Sequence, residues 1–129
     1  MNLGRASLIF AAVAFFIYAA VFIFMPTYGV SFVGIELPVS SAKIDVRATY
    51  GGCVLGVAIF FVLCALRDDW LRCGLAAQAV ILGGFIFGRV IGIIVDGEPN
   101  AAIYVLLVGE IAGCALALIA LRKQKRKLG

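Results

Sequence analysis

The chain has 129 residues, 64% of them hydrophobic, and a net charge of +4; its mean hydropathy is +1.14. Length allows one domain, and composition excludes a water-soluble one, because so apolar a chain needs lipid as its solvent. Histidine is absent, and five of the eleven basic residues crowd into the last eight positions, RKQKRKLG, so metal and general-base chemistry lose their usual side chain and the basic excess belongs to a tail rather than a nucleic-acid surface.

A hydrocarbon core about 30 Å thick needs about 20 mostly apolar residues per helix. The first such segment spans about residues 6–25. It is longer than a signal-peptide core and no A-x-A site follows, so it is expected as an uncleaved span, ended by Pro26. Residues 26–47 are expected to form an outer loop, in which GIELPVSS alternates apolar and polar like a short strand or an extended segment lying over the bundle. A second span is expected at about 48–66, followed by a tight polar turn, RDDW, at 67–70. The third occupies about 71–95, and DGEPN at 96–100 combines an Asp-Gly turn with Asn100 as an N-cap. The fourth covers about 101–121, with a basic tail at 122–129.

The expected fold is therefore all-α: a single domain, 1–129, forming an integral membrane four-helix bundle whose short links make its neighbours antiparallel. Arg5, Arg67, Arg72, Arg122, Lys123, Lys125, Arg126 and Lys127 fall on one side of the membrane and only Lys43 and Arg47 on the other. The positive-inside rule then puts both termini in the cytoplasm. Cys53, Cys64, Cys73 and Cys114 show no C-x-x-C spacing and read as small hydrophobes, with no metal or other cofactor expected.

Helices in lipid associate where small residues let backbones approach. Gly51, Gly52 and Gly56 in the second span, Gly84, Gly88 and Gly92 in the third, and Gly109 and Gly113 in the fourth supply such spacing. They are expected to pack the helices within one chain; a homodimer, or a membrane-protein partner, is the second use of the same faces.

Arg89 stands in the middle of apolar sequence. Its insertion costs about 3 kcal/mol, which the eleven Val, Ile, Leu and Phe of residues 80–95 outweigh at about 0.3–0.6 kcal/mol each. An unpaired charge in the folded bundle is another matter, since stranding one member of a buried pair costs about 3–5 kcal/mol. At about 1.5 Å per residue, Arg89 lies about 10 Å below Asp96 and Glu110 about 14 Å below Ala101, at similar depth on adjoining spans. A bidentate Arg89–Glu110 pair is expected, with Asp45, Arg47, Tyr50 and Asp96 above it completing a polar cluster. Each of those four also has a local role open to it. Asp45 suits a helix cap, Asp96 with Gly97 a helix-ending turn, Arg47 a lipid phosphate, and Tyr50 the membrane interface.

The strings DVRATYGGCVLG at 45–56 and GRVIGIIVDGEP at 88–99, followed by Glu110, resemble domain-of-unknown-function family 4345, small four-span proteins of the bacterial inner (plasma) membrane. The likeness covers about residues 5–121. It implies that fold and location and no activity, and it marks Asp45, Arg47, Tyr50, Gly51, Gly52, Arg89, Gly92, Asp96, Gly97 and Glu110 as shared positions.

The function these residues favour is an outward-facing intramembrane polar cluster that holds a lipid or small amphiphile, as an accessory to a larger complex. Membrane lipids are the expected partners and nucleic acid is not. One alternative is a small proton-coupled carrier acting as a dimer, with Glu110 titrating against Arg89; another is a purely structural scaffold. No nucleophile motif or metal-ligand spacing supports an enzyme.

Overall fold

A computed structural model describes the backbone of residues 1–128 and the side chains of residues 1–125; the side chains of Arg126 and Lys127, counted above in the basic tail, lie outside the described residues. Helix α1 runs Leu3–Phe24, and Asn2 caps it by accepting from the Arg5 amide at 2.8 Å. Pro26 cannot donate to the preceding turn, so α1 stops and a short helix α2, Pro26–Ser31, begins with the proline in its first turn. An extended stretch follows, with Leu37 buried beside Phe22, Val30 and Val46. Residues 35–39 of GIELPVSS thus lie over the bundle as extended chain while its two serines open the next helix, and no strand forms among the described residues.

The second spanning helix starts at Ser40, not at about 48. It comprises α3 (Ser40–Val46), a π-helical turn (Arg47–Cys53) and α4 (Val54–Leu66), 27 residues in all. Lys43, Asp45 and Arg47 made this stretch look like loop, but all three are exposed on a helix whose Val46 is buried. Hydropathy locates the part of a helix that sits in hydrocarbon, not the helix itself. Asp45 lies inside this helix, and Val39 stands at its N-cap without a side-chain bond, so Asp45 does not cap it.

Arg67 to Trp70 form the expected tight turn, with the Arg67 guanidinium 4.6 Å over the Trp70 ring. Helix α5 then runs Leu71–Asp96 and ends on Gly97 at φ +98°, a conformation that strains any residue with a Cβ. Asn100 begins α6, Ala101–Leu128, its Oδ1 accepting from the Ile103 amide at 3.3 Å. Four helices are thus long and apolar enough to cross a membrane.

Helix α1 packs most closely on the second span and α5 on α6, and the two pairs meet each other more thinly. Leu8, Phe61, Leu75 and Ala117 fill one end of the bundle; Phe22, Val30, Leu37 and Val46 fill the other. Close approach is carried by particular glycines. A Cβ on Gly113 would stand 2.7 Å from Leu82, one on Gly51 2.6 Å from Ile23, and one on Gly74 2.9 Å from Leu8 and against Cys64. The rest of the expected glycine faces are not contacts among the described residues. Gly56, Gly84, Gly88 and Gly109 have nothing within 4 Å of a built Cβ, while Gly52 and Gly92 meet only atoms of their own helices. Four-residue spacing marks a helix that tolerates a neighbour without saying which face receives one.

Candidate functional site

Arg89 on α5 and Glu110 on α6 meet. The Arg89 Nε–H is shared by both carboxylate oxygens, at 3.0 and 2.8 Å, and their side chains are only 19% and 11% exposed. The expected pair is present but its form differs: one forked N–H replaces two parallel bonds. The physical consequence is that the Nη1 and Nη2 hydrogens of Arg89 find no acceptor among the described residues. The pair as a whole is neutral, which is the condition for holding two charges in a low-dielectric bundle.

Arg89 stands where two cavities meet. One, of about 360 Å³, is a half-open hollow bounded by α1, α4, α5 and α6 and lined by Phe15, Val54, Leu82, Phe85, Gly109 and Gly113 among others. The second, of about 740 Å³, lies toward α2 and the extended stretch and is lined by Phe22, Gly29, Phe32, Ile35, Tyr50 and Ile103 among others. Arg89, Tyr18, Ala14, Val105 and Leu106 border both. The wall from Phe10 to Phe22 of α1 is about 18 Å long at 1.5 Å per residue. An apolar hollow of this size with a few converging polar groups is the usual form of a small-molecule site.

One buried polar side chain, Gln78, lies against the smaller cavity. Gln78 is 1% exposed; its Oε1 accepts from Ser7 Oγ at 3.2 Å and its Nε2 donates to the Gly113 carbonyl at 3.0 Å. A buried amide is tolerated because both of its ends are bonded, and it ties α1, α5 and α6 together. Sequence reasoning passed over Ser7, Tyr18 and Gln78. The signal for Gln78 was a lone amide in the run LAAQAVIL; Tyr18 had only its hydroxyl in an aromatic-rich span to distinguish it.

The other expected members of the cluster are placed apart. Tyr50 stacks on Phe22 at 5.4 Å between ring centres, and of the four it alone shares a cavity with Arg89. Arg47 Nη1 donates to the Ile23 carbonyl, one of the acceptors left open where α1 stops. It thereby caps α1, where a cation also meets the negative end of the helix dipole. Asp45 and Asp96 are exposed, and Asp96 closes α5 at the Gly97 turn. Among the described residues no three Cys, Asp or Glu side chains converge on one point.

Four apolar helices and a charge pair enclosed between two of them define a multi-pass membrane protein. The family model described as Domain of unknown function (DUF4345) matches residues 3–121, and the chain belongs to that family. No curated protein and no solved structure matches the chain.

Proposed function

We propose that this protein binds a lipid-like amphiphile in the crevice between its two helix pairs, with the polar part of the guest at Arg89 and its chain in the smaller cavity. The observation that carries the reading is the 360 Å³ apolar cavity bordered by an arginine whose Nη groups lack a protein acceptor. Membrane lipids supply guests of that shape, and a guest entering from the bilayer crosses no water. The proposal includes location and topology: the bacterial inner membrane, antiparallel helices and both termini cytoplasmic. Its support is the lopsided count of basic residues, with Arg5 and Asp68 paired at one end of the bundle and Asn100 bonded to the Phe32 carbonyl at the other. The carrier alternative has less to stand on, because both oxygens of Glu110 accept from Arg89.

Gly109→Leu tests the crevice without touching a charge. A Cβ at 109 meets nothing within 4 Å, and a helical leucine leans toward the preceding turn, here Val105 and Leu106 at the junction of the cavities. Native mass spectrometry of protein released from membranes should show an amphiphile bound to the wild type and none on Gly109→Leu, with equal helicity by circular dichroism. A wild type that emerges bare, or a guest that persists on Gly109→Leu, would refute the proposal.

A further inference from the structure

We infer that the guest is uncharged, with an ester-type carbonyl set between its head and its chain, of which a monoacylglycerol is the simplest example. This rests on the crevice reading above and adds the chemistry of the ligand. Three observations point the same way.

First, Arg89 borders both cavities, and of its donors only the Nε–H is taken, by Glu110. An acceptor is wanted, and a cation or a bare hydrocarbon offers none. Second, Glu110 has already neutralised Arg89 across 2.8 Å. An anionic head would bring an unbalanced negative charge into a site where ions are poorly solvated, close to the carboxylate. A carbonyl oxygen accepts from a guanidinium without that penalty. Third, Arg89 lies between two cavities rather than at the end of one: about 360 Å³ on the side of Gln78 and about 740 Å³ on the side of Tyr50. A terminal aldehyde or acid would leave one of them empty. A carbonyl placed within the molecule puts a chain in the smaller cavity and carries the head past Tyr50 toward the open side of the larger, whose own walls are mostly apolar.

Three probes of one chain length separate these points: 1-monododecanoylglycerol, its ether counterpart 1-O-dodecylglycerol, which lacks the carbonyl, and monododecyl phosphate, which is anionic. Each is titrated into purified protein in lipid nanodiscs, and the bound fraction is read by native mass spectrometry. The ester should be retained about tenfold better than either competitor, the factor expected from one charge-assisted hydrogen bond gained or one charge left unbalanced. Glu110→Gln frees the positive charge of Arg89, so the preference should turn toward the phosphate. Equal retention of ether and ester overturns the carbonyl assignment, and a wild type that prefers the phosphate overturns the uncharged head; the crevice survives either result. Retention of no probe overturns the crevice reading as well. If Glu110→Gln does not fold, the three-probe comparison on the wild type decides alone.

Discussion

The Arg89–Glu110 pair makes a quantitative prediction. At 2.8 Å and an effective dielectric of 20, the Coulomb attraction is about 6 kcal/mol, and desolvation of the two ions offsets most of it. Removing one partner leaves the other without compensation, at about 3–5 kcal/mol. The lower end applies here, because the crevice leaves 19% and 11% of the two side chains exposed. Glu110→Leu should be the worse of the two single replacements, since a stranded carboxylate can be neutralised by a proton and a guanidinium cannot. Arg89→Leu with Glu110→Leu leaves no charge behind and should fall within about 1 kcal/mol of the wild type. The coupling energy from the four proteins should therefore exceed the maximum of about 1.7 kcal/mol reported for hydrogen bonds between membrane helices. Reversible unfolding in mixed micelles of dodecyl maltoside and dodecyl sulfate, followed by circular dichroism, gives the four values. Additive single losses, with a coupling near the ordinary 0.6 kcal/mol of membrane hydrogen bonds, would mean that the pair is solvated and that no enclosed site exists around it.

Two further expectations use the same unfolding assay. Gly51→Ala brings a Cβ to 2.6 Å from Ile23 and should cost about 1–3 kcal/mol by overpacking, whereas Gly88→Ala, with nothing within 4 Å, should be neutral or should stabilise α5 by up to about 1 kcal/mol. A loss at Gly88 equal to that at Gly51 would show that the outward glycine face is in fact occupied. Gln78→Leu removes the bonds to Ser7 and Gly113 and should cost about 1–2 kcal/mol, with Ser7→Ala in the same background adding little because their shared bond is already gone. Full additivity of the two would argue against that bond.

The spans were legible because lipid imposes one demand, an unbroken apolar stretch, and Pro26, Gly97 and Asn100 mark where the chain must turn. The Arg89–Glu110 contact was legible too, because a charge in hydrocarbon needs a partner and Glu110 was the one at matching depth. What escaped were features decided by neighbours rather than by local sequence. Arg47 looked like part of the polar cluster, but the carbonyl that claims it exists only because Pro26, 21 residues earlier in the chain, stops α1. The start of the second span at Ser40 depends on Leu37 and Phe22 covering Val46, a contact no window of hydropathy contains. Gly74 packs more tightly than any glycine in the regular four-residue series, yet it stands outside the motif that drew attention to them.

Two tight partnerships of helices, joined along a thinner seam, set where the molecule gives way first. The seam is fastened at the Leu8 end, where the Ser7–Gln78 bond and the fit of Gly74 against Leu8 and Cys64 cross it, and is hollow beside Arg89, while separating α5 from α6 would tear apart the Gly113–Leu82 contact and the Arg89–Glu110 pair together. Breathing is therefore concentrated along the line where the hollow lies. The amphiphile proposed above would then pass in or out sideways, as between the leaves of a folded sheet, while every helix keeps its own ladder intact.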